Sequence, residues 1–328
     1  MRPKTLLAVS ISTFIGSASY SAPVQACDDP TVEVIAQFDT DVLDTPESVA
    51  TDYWGNLYVA QALTGEIIRI DVHGNVHTVA WLPIGEPMEQ CFDFFGGLGA
   101  LTYTPWGLYV NVNSCNEDDR GVWWVNPWSG NSAKVTSLPT DTFANGIAHR
   151  YGQLYISDSF NGRVWQASAF GGDAEIWVED SLLAPVSNPF DNPIGANGLQ
   201  FYGDEMYVAN SITGQVIAFP MEVGETPGAP RVHATVPTPC DDFSFDLYGT
   251  MYCATNPANT ILAIHPDGES EVVYAGPELD GPSSTVFGRR WDRHSLYVSN
   301  ASFPIYPTSN GNPSVIRIQL DVPGYPFR

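Results

Sequence analysis

Gly55-Asn56-Leu57-Tyr58-Val59, a glycine turn followed by Leu, Tyr and a β-branched residue, decides how this chain is read. The pattern returns as Gly107-Leu108-Tyr109-Val110, Gly152-Gln153-Leu154-Tyr155-Ile156, Met206-Tyr207-Val208 after Gly203, Gly249-Thr250-Met251-Tyr252-Cys253 and Leu296-Tyr297-Val298. Successive Leu/Met positions lie 51, 46, 52, 45 and 45 residues apart, the period of a four-stranded propeller blade. Every repeat continues through a polar turn into a third strand, and five continue into a fourth. The sixth lacks its fourth strand, whereas Thr31 to Phe38 is a strand with no blade of its own. Laying that segment against the strand containing Ile316 closes the ring and removes an open sheet edge. The expected fold is an all-β, six-bladed propeller closed by its N-terminal strand.

Composition agrees. The chain has 328 residues, 44% hydrophobic, enough for a large core. Its 29 Gly and 26 Pro favour short strands and turns over long helices. Arg2 and Lys4, an apolar run from Leu6 to Ile15 and small residues near Ala22 and Ala26 read as a secretory signal peptide over residues 1–26, cleaved after Ala22 or Ala26. Residues 27–328 are then one propeller domain, secreted or periplasmic, with Cys27 a weaker candidate for a lipid anchor. The mature chain carries 11 basic against 37 acidic residues, a surface that repels phosphate backbones and makes nucleic acid an unlikely partner. No segment reads as a membrane span, and the chain is expected to be a monomer with a small-molecule substrate. Lys134 is the one lysine left for Schiff-base chemistry. Cys91 with Cys115 and Cys240 with Cys253 each flank a predicted hairpin within one blade, although four cysteines allow three connectivities. Asn300-Ala301-Ser302 is the single glycosylation sequon.

Equivalent positions in a propeller point at the same place on its axis. Nine residues before Leu154, Met206 and Met251 stand Asn145, Asn197 and Asp242, and ten before Leu57 stands Glu47. Four oxygen-bearing side chains are thus expected to converge where the innermost strands open into the channel. The matching places in blades two and six hold Leu98 or Gly99 and Phe287, an apolar half that suits a substrate. Oxygen-only donors suit a hard divalent cation, Ca²⁺ first, with Mg²⁺, Mn²⁺ or Zn²⁺ also able to occupy an open site. Asn-Gly and Asp-Asp are also ordinary turn pairs, so the shared offset carries the reading. Nucleophile elbows and zinc helices are absent, and the six histidines fall in predicted turns and outer strands. The nine Trp and 15 Tyr are expected chiefly to fill wedge-shaped blade interfaces.

Pro46-Glu47-Ser48 before Tyr53 to Val59, Ala144-Asn145-Gly146-Ile147, Ala196-Asn197-Gly198-Leu199 and Asp241-Asp242-Phe243 together resemble the regucalcin/gluconolactonase family of six-bladed propellers. The resemblance implies a divalent metal at the channel mouth, held by Glu47, Asn197 and Asp242, with Asn145 contacting substrate. The family's Glu-Gly-Pro is Glu47-Ser48-Val49 here, and its substrate-binding Arg has no counterpart that can be placed. Asp241-Asp242-Phe243 with Gly281 to Arg289 is similar to fungal propellers that include metal-independent hetero-Diels-Alderases. Three functions follow as expectations. The first is an exported metal-dependent lactone or ester hydrolase with Asp242 as catalytic base. The second is a natural-product cyclase or isomerase, and the third a propeller that only binds.

Overall fold

The computed structural model describes residues 30–91, 94–186, 194–256, 258–305 and 307–326. The expected signal peptide and Cys27 lie outside the described residues. Six four-stranded antiparallel sheets follow one another along the chain. Their innermost strands are Pro46–Thr51, Gly97–Thr104, Ala144–Arg150, Ala196–Tyr202, Phe243–Phe245 and Pro282–Phe287. Each innermost strand contacts the next, and that of blade six contacts that of blade one, so the sheets form a closed ring. The closing strand is Val32–Gln37, paired antiparallel with Ser314–Gln319 and setting Val34 opposite Ile316. Among the described residues the helices are two three-residue 3₁₀ turns, Thr40–Val42 and Arg290–Asp292.

The Leu/Met-Tyr repeat has a direct physical cause. Neighbouring residues on a strand face opposite sides of the sheet, and each blade's second strand is sandwiched between two other blades. Leu108 therefore meets Tyr58 in the layer between blades one and two, and Leu154 meets Tyr109 in the next. Met206 joins Tyr155, Met251 joins Tyr207, Leu296 joins Tyr252, and Leu57 closes the circle with Tyr297. Six clusters, one per blade interface, make the core. Burying each such side chain contributes about 1.5–3 kcal/mol, so the sixfold pattern is the glue of the ring. The repeat tyrosines and Trp165 and Trp177 do fill the wedges, whereas Trp54, Trp81, Trp106, Trp128 and Trp291 are exposed; buried phenols find partners, as when the Tyr109 hydroxyl donates to the Ala169 carbonyl at 2.9 Å.

The ring has two dissimilar faces. The first strand of every blade starts on one face, the mouth, and the hairpins joining first to second strands lie on the other, the far face. After Gln319 the chain crosses the far face as a strap. The amide of Leu247 donates to Pro323 O, that of Gly324 to Arg293 O and that of Tyr325 to Phe245 O.

The disulfide between Cys240 and Cys253 is formed, as expected, with Cα atoms 5.5 Å apart. Cys115 is also disulfide-bonded; the Cys91 side chain expected to pair with it lies outside the described ones. The sequon reading is corrected. Asn300 is fully buried, its amide nitrogen donating to Glu278 O and Ser314 Oγ while its oxygen accepts from the Asp280 amide. A glycan there would have to displace all three bonds. No helix among the described residues is long and apolar enough to cross a membrane.

Candidate functional site

Register, rather than counting, identifies the axial positions. In five of the six blades the innermost strand has an irregular step beside the second strand, and in blade five the pairing starts only at Phe243. The axial residue lies two places before the one paired with the aliphatic residue of the Leu-Tyr-aliphatic repeat. Val49 pairs with Val59, Leu101 with Val110, Ile147 with Ile156 and Leu199 with Val208. Phe243 pairs with Cys253 and Thr285 with Val298. Two places before these stand Glu47, Gly99, Asn145, Asn197, Asp241 and Ser283.

Two expectations are corrected by this. In blade five the mouth belongs to Asp241, not Asp242. The hairpin from Asp246 to Thr250 is as long as the one from Asp52 to Asn56 in blade one. In each, the aspartate Oδ1 accepts from the amides two and four residues on. Blades one and five therefore share the offset of ten, and the two-residue turns of blades three and four give nine. In blade six the axial residue is Ser283. Phe287 sits at the opposite end of its strand, paired with Leu296 and packed edge-on against Tyr252, away from the mouth. Leu98 does line the mouth, where it is 3% exposed and also part of the interface between blades one and two.

Glycines let the inner strands close on the axis. A Cβ on Gly146 would stand 2.5 Å from Asn197 O, and one on Gly198 would stand 2.6 Å from the Asp242 Cα. Hydrogen bonds then tie blade to blade: Gly198 N donates to Asp241 O, Asp242 N to Ser283 O, and the Ser299 hydroxyl to Glu47 O. The Cys240–Cys253 bond anchors the strand just before Asp241.

A cavity of about 80 Å³ opens at the mouth. Its polar floor is Glu47, Asn113, Asn145, Asn197, Asp241 and Asn256, and its apolar wall is made by Leu63, Leu98, Phe143, Ile194 and Phe303. Asn145 is 8% exposed and Asn197 5%. The Asn145 amide nitrogen donates to Ser159 Oγ at 3.3 Å; that of Asn197 donates to Asp241 Oδ1 at 2.7 Å and Ser211 Oγ at 2.9 Å. Asp242 turns into a smaller space beneath, where its carboxylate accepts from Ser284 Oγ at 2.8 Å and its own strand's Phe243 amide at 2.8 Å.

The electrostatics are those of crowded acids. Desolvation, then the charges of Asp241 and Asp242, hold Glu47 well above the ordinary carboxyl range. Desolvation and the Asp242 charge push Asp241 up to about 7, against hydrogen bonds from Asn197 and Asn256. Desolvation lifts Asp242 to about 6, opposed by Ser284 and the Phe243 amide. No Lys, Arg or His lines this cavity among the described residues.

A hard cation fits this arrangement. Glu47 Oε2 is buried without a hydrogen-bond partner, and an unpaired buried oxygen between like charges is costly. Among the described residues no three His, Cys, Asp or Glu side chains are grouped to hold a metal, so amide oxygens would complete the donor set. Sequence reasoning missed Asp241, Ser283 and Asn256. Asp241 was legible in the Asp-x-x-Gly-x hairpin that blade five shares with blade one; Ser283 emerges only from the strand pairing, because the 3₁₀ turn Arg290–Asp292 lengthens its hairpin, and Asn256, beyond the second strand of blade five, carries no repeat signal.

A model of the SMP-30/gluconolactonase/LRE-like region matches residues 115–302, more than half of the chain. The chain belongs to that family. Among solved structures, this SMP-30/gluconolactonase-like propeller resembles regucalcin from Agrobacterium tumefaciens, described as a calcium-binding protein. The two share 14% identity at a TM-score of 0.68, over 90% of this chain and 96% of that one. A luciferin-regenerating enzyme matches at 15% identity and TM-score 0.65, over 90% and 97% of the two chains. A gluconolactonase from Xanthomonas campestris matches at 14% identity and TM-score 0.64, over 90% of each. At such identities the likeness concerns the propeller fold. No curated protein matches the sequence. Membership in a family of gluconolactonases suggests a hydrolase.

Proposed function

We propose that this propeller is an exported, metal-dependent hydrolase of an uncharged lactone or ester. The observation that carries the reading is the set of Glu47, Asn145, Asn197 and Asp241, which share one strand register and one mouth with no countercharge among its described lining. Glu47, Asp241 and the carbonyl oxygens of Asn145 and Asn197 would hold the ion, with Ca²⁺ favoured by the all-oxygen donor set. A divalent cation bound there polarises an acyl oxygen and makes water more acidic.

The remaining steps belong to the chain. Leu63, Phe143, Ile194 and Phe303 exclude water and receive the apolar part of the substrate. The mouth admits the reacting group, which Asn145 orients by hydrogen bonding. Asp241 faces that group, and a carboxyl near 7 exchanges protons readily at neutral pH, as a general base requires. Asp242, beneath it and fixed by Ser284, keeps Asp241 basic through its charge. Because the mouth lacks a basic side chain among its described lining, substrates carrying a carboxylate or phosphate at the reacting end fit poorly.

The disulfide is compatible with an oxidising compartment and supports export. The test is hydrolysis of neutral alkyl lactones by metal-free and Ca²⁺-supplemented protein, with Glu47→Gln alongside. Turnover that needs the ion and falls in Glu47→Gln supports the reading. Full turnover in chelator instead selects metal-independent cyclase chemistry, which the apolar wall also accommodates. Loss of neither ion binding nor turnover in Glu47→Gln removes the site altogether.

A further inference from the structure

At the far end of the channel, two adjoining cavities of about 630 and 310 Å³ share Tyr53, Arg289 and Tyr325. Their size is that of ordinary small-ligand sites, and their chemistry is the reverse of the mouth's. Arg150, Arg289, Arg290 and Arg293 line them, four of the 11 basic residues of the mature chain, against, among the described lining residues, the one carboxylate of Asp204. Asp204 and Glu225 are both spent on Arg150, at 3.0 and 2.9 Å. Asp52, close by, is occupied by the amides of Trp54 and Asn56, the Asn56 side chain and the Tyr58 hydroxyl. Asp292 is taken by the hydroxyls of Ser295 and Tyr297.

Among the described residues Arg290 and Arg293 form no ion pair, although the chain has 37 acidic residues in all. Arg290 instead lies with its guanidinium 3.7 Å from the centre of the Tyr53 ring. It does so from a left-handed backbone conformation, φ +58°, that costs a non-glycine residue strain. Aromatic surface surrounds these cations. Tyr53, 52% exposed, and Tyr325 line both cavities and join them, and Trp54, 50% exposed, Tyr103 and Phe201 extend the ring walls into the larger one beside Arg150 and Arg289.

We propose that this far-face cleft binds a small organic anion with a flat aromatic body, an aromatic carboxylate or its equivalent. The rings stack on the body, and Arg290 and Arg293 supply charge-assisted hydrogen bonds to the carboxylate. The strained Arg290 backbone holds its guanidinium at the rim before the ligand arrives. The site is independent of the hydrolase reading, since it shares no residue with the mouth.

The experiment is calorimetric titration with 2-naphthoate and with its neutral analogue 2-naphthalenemethanol. The variants are Arg290→Gln/Arg293→Gln, Trp54→Ala and Glu47→Gln, each checked for a single cooperative melt well above the titration temperature. The proposal expects saturable naphthoate binding and about tenfold weaker binding of the alcohol. It expects a similar loss in the double arginine variant, a loss in Trp54→Ala, and no change in Glu47→Gln. Both arginines are on the surface, so the double variant folds. Naphthoate that fails to bind, binds no better than the alcohol, or loses affinity in Glu47→Gln instead of the arginine variant overturns it.

Discussion

The two ends of the channel are built by the same six strands and could hardly differ more. At the mouth the side chains come from equivalent register positions, so their chemistry repeats around the axis as carboxylate, amide, amide, carboxylate and hydroxyl. At the far end they come from hairpins of unequal length and from the C-terminal strap, so nothing repeats. The mouth is narrow and acidic, the far cleft wide, aromatic and basic. Strand register fixes a site that every blade helps to make, whereas the turns are free to vary, and a fold that needs only its core to repeat can carry unrelated chemistry at its two ends.

The largest effect that can break this contrast is on turnover. Asp241→Asn removes the proposed charged donor and the proposed proton acceptor together, and lactone hydrolysis is expected to fall by at least about a thousandfold. Arg290→Gln/Arg293→Gln should leave it within about twofold, being remote from the chemistry. Initial rates on one neutral lactone check both. A far-face variant as damaging as Asp241→Asn would mean that the two ends form one functional site.

Next in size is the coupling of pH, ion and stability. Glu47, Asp241 and Asp242 are all raised in the folded protein, so the unfolded chain gives up these protons more readily. Metal-free protein should therefore lose stability as pH climbs from about 4, the unfolded carboxyl range, through about 7, the folded value for Asp241. A cation that binds the ionised forms competes with protons, so Ca²⁺ should raise the melting temperature little at pH 5 and by several degrees at pH 8. Scanning calorimetry in chelator and in Ca²⁺ reads both slopes. Parallel curves would show that no cation answers these charges.

The Cys240–Cys253 bond comes next, because it anchors the blade that presents Asp241. The 13-residue separation corresponds to about 3 kcal/mol of unfolded-state constraint. Cys240→Ala/Cys253→Ala is expected to lower the melting temperature by several degrees and to weaken Ca²⁺ binding, with naphthoate binding at the far end unchanged. Equal loss at both ends would make the bond a support of the whole ring.

The fold was legible because the core repeats: Leu57 and Tyr58 carry the same instruction as Met251 and Tyr252, to face opposite blade interfaces. The mouth was legible only as far as the hairpins behave alike. Asn145 and Asn197 were found because counting from the repeat crosses two-residue turns, and Glu47 because the count was taken to ten in blade one, where it is the carboxylate in reach. Asp242 was chosen over Asp241 because the longer hairpin of blade five, closed by Asp246, shifts the count by one, and a one-residue shift reverses a side chain's face. Phe287 failed for a related reason, since an apolar residue near the right offset lies at the wrong end of a strand whose start is Pro282. The far cleft left no trace in the repeat, because Tyr53, Arg150, Arg290 and Tyr325 meet only through closure of the ring and the path of the strap.

The smallest expected effect decides which aspartate is the base. Ser284 Oγ donates to Asp242 Oδ2 at 2.8 Å and holds that carboxyl below where burial alone would set it. Ser284→Ala removes the donor, so Asp242 should bind its proton more tightly and carry less negative charge near pH 7. Asp241 is raised in part by that charge, so its own pKa should fall. If Asp241 accepts the proton from water, the acidic limb of the kcat/KM profile moves to lower pH in Ser284→Ala. If Asp242 is the acceptor, the same substitution moves the limb to higher pH, by an amount comparable to the lost hydrogen bond, about half a unit to one unit. The shift is small but its sign is opposite for the two residues, and a profile on one substrate from pH 4 to 9 reads it without any assumption about the ion.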